Sequence, residues 1–199
     1  MGRDEKVVPE VRPVTADRWA DLEKLFSNRG LANSCFDMWF RRPRREYRRE
    51  GREGNRKAMR AIVRRNEIPG LLAYADGRPV GWCSISPRDR YPSLERSPML
   101  RGVDETPVWS IVCFYIHPEE RDKRIAEALL GGAVSYAAER GAEVVEAYPR
   151  DAEDDRLPDN QSYTGPLSMF RKAGFKEVAR FTPDHPIMRF NIADFLKVG

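Results

Sequence analysis

The longest regular pattern of hydrophobic positions lies in the second half of the chain, over residues 124–140. Its apolar side chains recur at the i, i+3, i+4 and i+7 spacing of one helix face; they are Ala126, Leu129, Leu130, Ala133, Val134 and Ala137. Gly141 follows, and glycine is favoured just past a helix end because it tolerates a left-handed backbone. The pattern therefore predicts an amphipathic helix over 124–140.

Shorter stripes of the same period predict three more helices. One covers residues 18–26, with Thr15 or Asp17 as its N-cap, and another runs from an Asn55 N-cap to residue 65. The third covers 166–173 and ends at Gly174. The segments 27–53 and 149–162 show no period and are predicted to be irregular.

Runs of apolar and β-branched residues between turn residues predict seven strands. They cover residues 10–14, 70–75, 78–86, 108–116, 144–148, 175–181 and 187–192. Asp76-Gly77 separates the second run from the third and is a specific signal for a two-residue hairpin. A strand, helix and strand over 108–148 predict a parallel pair with a right-handed crossover. The order of elements indicates an α/β fold with a mixed, mostly antiparallel β-sheet flanked by helices.

Composition excludes several classes of protein. The chain has 199 residues, of which 41% are hydrophobic and 33% charged, and this suits one globular domain. It has no apolar stretch near the roughly 18 residues of a membrane span, and no apolar N-terminal segment typical of a secretory signal. Three widely spaced cysteines and two histidines indicate neither a disulfide framework nor a metal site. We therefore expect a cytoplasmic protein with no membrane partner.

Positive charge is concentrated in residues 41–65, which contain 12 Lys and Arg residues but only 3 Glu residues, although the net charge of the chain is only +4. Three interpretations of this arginine-rich segment remain open: a solvated helix face, an electrostatic funnel for an anionic ligand, or a nucleic-acid patch. A nucleic-acid partner is not expected, because Tyr47 is the only stacking aromatic within the segment.

A cluster of charge also separates the strand at 108–116 from the long helix, since all six residues from 119 to 124 are charged. A helix N-terminus has unpaired N–H groups and a partial positive charge, so a phosphate fits there. Arg121, Lys123 and Arg124 would reinforce such a site, and the small Ala126 would allow close approach. The alternative is a solvated polar turn.

Two motifs resemble those of the GNAT acetyltransferase family. The family pattern Arg/Gln-x-x-Gly-x-Gly/Ala, between a strand and a helix, is matched by R-D-K-R-I-A at 121–126. The segment M-F-R-K-A-G-F-K-E-V-A-R at 169–180 is similar to the family's helix that ends in Gly-Phe before a strand. The resemblance implies one GNAT-like domain over 1–199, with a central parallel strand pair that splays apart. Residues 70–192 would form the cofactor-binding core, and 10–69 would supply the N-terminal strand and acceptor-side helices.

The resemblance also implies acetyl-CoA, or another acyl-CoA, as cosubstrate, with no metal. Two sets of residues would bind it. The backbone N–H groups for the pyrophosphate would come from Arg121, Asp122, Lys123, Arg124, Ile125 and Ala126. The pantetheine would pair like an added strand with the backbone of Phe114, Tyr115 and Ile116, and Phe170 is expected to lie at the cofactor.

The motifs depart from the family pattern at three positions. Arg124 stands at the glycine position, which is acceptable if the backbone there is helical, because only a positive φ demands glycine. Asp122 must point away from the phosphate. Phe170 replaces a tyrosine that commonly protonates the leaving thiolate in the family, and phenylalanine has no proton to donate.

Acetyl transfer to an amine requires a neutral amine, a polarised thioester carbonyl and a proton for the thiolate. Tyr163 is the candidate acid; the alternative is a loop tyrosine that packs on the cofactor. The base would be Glu146, on the strand at 144–148, or a carboxylate reached through water. The alternative interpretation of Glu146 is a surface-facing strand residue.

Cys113 is a further candidate, as an acyl nucleophile. We disfavour this role because strict alternation places Cys113 on a buried face together with Trp109, Ile111 and Tyr115. The alternative interpretation is a buried thiol with a structural role.

The acceptor site is expected within residues 27–66, where Cys35, Phe36, Trp39 and Phe40 either line a pocket or cover the sheet edge. The acceptor would be a small-molecule or peptide amine, and the protein a monomer or homodimer. We predict an N-acetyltransferase that works by direct attack of the amine. The alternative is a non-catalytic GNAT-fold protein that binds CoA or nucleic acid.

Overall fold

The computed structural model describes residues 9–27, 35–121, 124–152 and 162–195. Within these ranges a seven-stranded sheet has the order β1-β2-β3-β4-β5-β7-β6. The strands are β1 (Glu10–Pro13), β2 (Gly70–Ala75), β3 (Arg78–Pro87), β4 (Trp109–Ile116), β5 (Val144–Ala147), β6 (Lys176–Thr182) and β7 (His185–Asn191). Neighbouring strands are antiparallel except for the parallel pair β4–β5. The predicted strands and the mixed sheet are confirmed.

Helices cover both faces of the sheet. They are α1 (Trp19–Phe26), α2 (Met38–Arg41), α3 (Arg44–Arg64), α4 (Pro92–Glu95), α5 (Ile125–Glu139), α6 (Leu167–Lys172) and α7 (Ile192–Phe195). The core on one face lies under α5 and includes Leu129, Ala133 and Phe114. The core on the other face lies under α1 and α3 and includes Phe26 and Trp82.

The long helix packs closely on the sheet because of a glycine opposite its first turn. A Cβ atom at Gly81 of β3 would lie 2.7 Å from Cγ2 of Ile125 and 3.0 Å from Cδ1 of Leu129. Gly141 has a φ of 78° just after the helix, which confirms the predicted helix end. The helix begins at Ile125, one residue later than predicted, with Arg124 as its N-cap.

The arginine-rich segment is helical, which corrects the prediction that residues 27–53 are irregular. Helix α3 begins at Arg44 rather than Asn55 and is interrupted at Gly51, where φ is 58°. Its buried residues are few: Asn55, Met59 and Val63. Ion pairs of Arg56 add support within and beyond the helix. The first half of the helix, residues 44–54, has Tyr47 as its one large apolar side chain, so only the second half gave a visible period.

Helix α1 has neither of the predicted side-chain caps. A short 3-10 turn, Ala16–Arg18, precedes the helix, and Arg18 occupies the N-cap position without a side-chain hydrogen bond. Thr15 instead donates its hydroxyl to the carboxylate of Asp17. The two polar residues therefore stabilise the turn before the helix rather than its first N–H groups.

A bulge in β4 changes which face its side chains occupy. Ser84 of β3 lies opposite Cys113, but the next residue of β3, Ile85, lies opposite Ile111, so Val112 has no partner across the ladder. As a result Cys113 packs on the α1 face, whereas Ile111 packs on the α5 face. The prediction that Cys113 shares a face with Trp109 and Ile111 is wrong, because a single extra residue inverts the alternation.

Candidate functional site

The parallel strands β4 and β5 are paired only at their beginning. The three pairs are Trp109 with Val145, Ser110 with Glu146 and Ile111 with Ala147. Beyond them β4 continues to Ile116 beside β3. The chain after β5 turns away, and Arg150 exchanges backbone hydrogen bonds with Gly165 and Leu167 at 3.3 and 3.2 Å. Among the described residues, the outer edge of 112–116 has no strand partner, and the 3-10 turn Ser162–Thr164 lies beside β4 instead. The two strands therefore splay apart after Ile111.

A cleft of about 580 Å³ lies beside this opening, a volume typical of small-molecule sites. Aromatic side chains form much of its wall: Trp39, Phe40, Tyr148 and Tyr163. Of the aromatic residues expected at an acceptor site, Trp39 and Phe40 line this cleft. Phe36 does not, because it is fully buried in the core between α1 and the sheet.

A buried polar cluster fixes the wall that carries Trp39 and Phe40. Arg41 donates to the carboxylate of Asp37 at 3.1 Å and to the hydroxyl of Tyr91 at 3.0 Å. Ser84 of β3 donates to the same carboxylate at 2.5 Å. These contacts tie α2 to the sheet, so the two aromatic residues between Asp37 and Arg41 have a fixed position.

Tyr163 lies in the 3-10 turn Ser162–Thr164, where its ring centroid is 6.4 Å from that of Phe40. Burial raises the pKa of its phenol, whereas the charges of Arg150 and Arg44 act in the opposite direction. The phenol is therefore protonated at neutral pH.

Glu146 is buried rather than surface-facing, which excludes the alternative interpretation of this residue. Its carboxylate accepts hydrogen bonds from Arg88 at 2.8 Å, from Arg189 at 2.8 Å and from the hydroxyl of Tyr148 at 2.6 Å. Tyr148 lines the cleft, whereas Glu146 does not. The Tyr148 hydroxyl, which is buried and also contacts Ser110, therefore links Glu146 to a residue of the cleft wall.

Sequence reasoning missed the partners of Glu146. Arg88 also bonds to the carbonyl of Leu100 at 2.7 Å, and the hydroxyl groups of Tyr148 and Ser110 are 2.8 Å apart. The signal available was the alternation of β5, in which Glu146 and Tyr148 point to the same face. Arg88 gives no such signal, because it follows β3 in the chain and meets β5 only in the folded protein.

The charged turn before α5 is only partly described. Asp122 and Lys123, two of the proposed pyrophosphate-binding residues, lie outside the described residues. Arg124 has a φ of 59° and a ψ of 19°, so its backbone is left-handed, which corrects the expectation of a helical backbone at this position. The motif's glycine position does demand a positive φ, and arginine adopts it here at a steric cost. The side chain of Arg124 points to Glu127, 2.8 Å away.

The remaining proposed pyrophosphate-binding residues stand at the start of α5. Arg121 is exposed, Ile125 is buried and Ala126 is half-buried. Because α5 begins at Ile125, the backbone N–H groups of its first turn lack helical partners. This arrangement is able to bind an anion.

The proposed pantetheine-binding residues lie on the open part of β4. Phe114 packs under α5 and Tyr115 packs on the opposite face, so their backbone groups lie between two cores. Phe170 is fully buried, with its ring 6.2 Å from that of Phe114 and 5.3 Å from that of Phe175. The phenyl group is a core side chain in this structure, and its role toward a cofactor stays a prediction.

The thiols are poor candidates for a nucleophile. Burial raises the pKa of Cys113 well above its ordinary value, and it also raises the pKa of Cys35. A protonated thiol is a weak nucleophile.

No cluster of His, Cys, Asp and Glu suited to a metal ion occurs in the described part of the chain. Among the helices described, none has the length and apolar character that a membrane span requires.

Comparison with known proteins shows that the chain matches a protein family. A model of the acetyltransferase (GNAT) family matches residues 32–159. No curated protein matches the chain.

Solved structures match over nearly the whole chain. An acetyltransferase of the GNAT family from Streptococcus pneumoniae has a TM-score of 0.55 at 14% identity, covering 92% of this chain and 98% of that one. The PaiA N-acetyltransferase from Thermoplasma acidophilum, in complex with coenzyme A, has a TM-score of 0.52 at 17% identity, with coverages of 92% and 98%. A ribosomal-protein-alanine N-acetyltransferase from Brucella melitensis has a TM-score of 0.52 at 17% identity, with coverages of 92% and 99%. At these identities the likeness shows a shared fold.

Proposed function

The chain belongs to the GNAT acetyltransferase family, and from this premise we propose that it transfers an acetyl group from acetyl-CoA to an acceptor amine by direct attack. The observation that carries the proposal is the opening between β4 and β5 beside an aromatic cleft. A thioester in the opening would lie within reach of an amine in the cleft.

We propose that the cofactor lies along the open edge of β4. Its pantetheine amides would pair with backbone groups of Phe114, Tyr115 and Ile116, which have no strand partner on that side among the described residues. Its pyrophosphate would accept hydrogen bonds from the first turn of α5, with positive charge from Arg121 and Arg124 nearby. The N-acetyltransferase of similar fold that was solved with coenzyme A supports a CoA ligand.

In the reaction, the amine nitrogen forms a bond to the acetyl carbon and the carbon–sulfur bond breaks. The amine loses a proton, and the thiolate of CoA gains one. We assign the second transfer to Tyr163, which lines the cleft and whose raised pKa keeps it protonated. Glu146 does not line the cleft, so we propose that it would accept the amine proton through Tyr148, a residue of the cleft wall whose hydroxyl bonds to its carboxylate.

The proposal is tested by measuring CoA release from acetyl-CoA in the presence of a panel of amines. Tyr163→Phe is expected to lower kcat about 10²-fold, the usual contribution of one general acid, with little change in KM for acetyl-CoA. Tyr136→Phe is the matched control, since the Tyr136 hydroxyl contacts Arg140, the residue just after α5, and Tyr136 does not line the cleft. The kcat of this variant should stay near wild type.

Other outcomes have distinct meanings. A raised KM with an unchanged kcat in Tyr163→Phe would indicate that the ring packs against the cofactor and that the acid is misassigned. Binding of CoA without CoA release for any amine would favour the non-catalytic alternative.

We further propose a small-molecule or peptide acceptor and a monomer or homodimer without a nucleic-acid partner. We also propose a reducing cytoplasmic location, which the three free cysteines support.

A further inference from the structure

Basic side chains predominate on the part of the cleft wall that the structure describes. Its basic lining residues are Arg44, Arg96, Arg150 and His185, and none of the lining residues that the structure describes is Asp or Glu. Walls of one sign attract ligands of the opposite sign and repel those of the same sign. An acceptor that carries only ammonium groups is therefore disfavoured in this cleft.

The arginines differ in how far they are already neutralised. Arg150 donates to the carboxylate of Asp184 at 3.1 Å. The guanidinium of Arg44 lies 5.1 Å from the ring centroid of Trp39. Neither Arg44 nor Arg96 forms an ion pair with a described residue. Two guanidinium groups on the cleft wall thus have N–H donors to offer a ligand.

The rest of the wall is apolar and aromatic. Trp39, Phe40, Tyr148 and Tyr163 present ring surfaces, and Met99 and Leu100 add aliphatic surface. A ligand that fills this cleft would combine an apolar or aromatic skeleton with an anionic group. Planar guanidinium groups bind a carboxylate or phosphonate through paired hydrogen bonds.

We propose that the acceptor is a small amine that also carries an oxyanion, as in a hydrophobic α-amino acid, and that Arg96 and Arg44 bind this oxyanion. The inference rests on the proposed function, because it names the substrate class of the same site. The positive walls also favour the chemistry, since nearby like charges lower the pKa of an ammonium group. The amine would more readily lose its proton, attack the acetyl carbon and displace the thiolate.

The test uses three probes that differ in one group: phenylalanine, phenylalanine amide and phenethylamine. CoA release gives kcat/KM for each probe, and calorimetry on the CoA-saturated protein gives the affinity of each probe independently of transfer. We expect phenylalanine to exceed the amide and the amine at least about tenfold in both measurements, the scale of one charge-assisted hydrogen bond. Equal values for the three probes, or a preference for phenethylamine, would overturn the inference while leaving acetyl transfer established.

Variants locate the anion site. Arg96→Ala and Arg44→Ala should each raise KM for phenylalanine about tenfold and leave KM for the amide and the affinity for CoA unchanged. Arg45→Ala, which removes a neighbouring exposed arginine that does not line the cleft, should leave all three values unchanged. Weaker CoA binding in Arg96→Ala would instead indicate that Arg96 binds the cofactor, and it would refute the proposal. Acid-selective binding without any CoA release would support the anion site and refute the transferase.

Discussion

Replacing Glu146 with glutamine should destabilise the protein strongly, because this carboxylate neutralises two arginines inside the fold. Its side chain is 1% exposed and those of Arg88 and Arg189 are 12% and 13% exposed. Glutamine keeps the shape but removes the charge. Breaking a buried ion pair by removing one partner costs about 3–5 kcal/mol. Since Glu95 and Asp104 still contact the arginines from the surface side, we expect a loss of about 3 kcal/mol.

Urea denaturation measures this loss as a lower midpoint at an unchanged m value. In a thermal scan the same loss corresponds to a fall in Tm of about 6–12 °C for a chain of this size. Glu95→Gln is the matched control, because Glu95 contacts Arg88 at 2.6 Å but is 59% exposed. An exposed ion pair contributes at most about 1 kcal/mol, so the control should lose no more than that.

A loss below about 1 kcal/mol in Glu146→Gln would refute this reasoning. The kinetics of the folded variant separate a positioning role from catalysis. If kcat stays near wild type while stability falls, Glu146 orders the site through Arg88 and Tyr148. A fall in kcat of about 10²-fold with unchanged CoA affinity would instead support proton transfer through Tyr148.

Three further predictions concern the start of α5 and the arginine-rich segment. Ala126→Glu adds negative charge at the helix N-terminus and should abolish thermal stabilisation by CoA without changing the Tm of the unliganded protein; retained stabilisation would contradict the assignment. Arg124→Gly relieves a left-handed arginine, which costs roughly 1–2 kcal/mol, and should raise Tm by a few degrees, whereas a lower Tm would show that the contact with Glu127 matters more. Residues 41–65 should bind RNA and DNA only weakly at physiological salt, and submicromolar binding with a steep salt dependence would refute the enzyme assignment.

The elements after residue 70 could be predicted from sequence because each has a local signal. Strand β2 starts and ends where predicted, and it is followed by Asp76-Gly77, whose φ values of 49° and 71° are those of a hairpin turn. The first half of helix α3, residues 44–54, lacked such a signal, because Tyr47 is its one large apolar side chain. The second half was predicted from its apolar stripe. A helix with a mostly polar surface has weak periodicity even when the fold requires it.

The candidate site was predictable in outline, but its electrostatics were not. Arg88 reaches Glu146 across 58 residues of sequence, and Arg189 reaches it across 43. Local patterns contain no information on such contacts. The sequence therefore left open whether Glu146 was exposed, and only its position in a central strand, with neighbours on both sides, explains its burial.

The bulge at Val112 illustrates how one unpaired residue shapes the site. Without it, Cys113 would face α5 and Phe114 would face the acceptor side, since side chains alternate along a strand. With it, Phe114 joins the core under α5 beside Phe170, and Cys113 lies between α1 and the cluster that contains Tyr148. Bulges also bend and twist a strand. Pairing of β4 with β5 ends at Ile111, one residue before the bulge, so we infer that Val112 is what turns β4 away from β5. The same residue would thus both open the edge for the proposed cofactor and select which side chains face the proposed acceptor cleft.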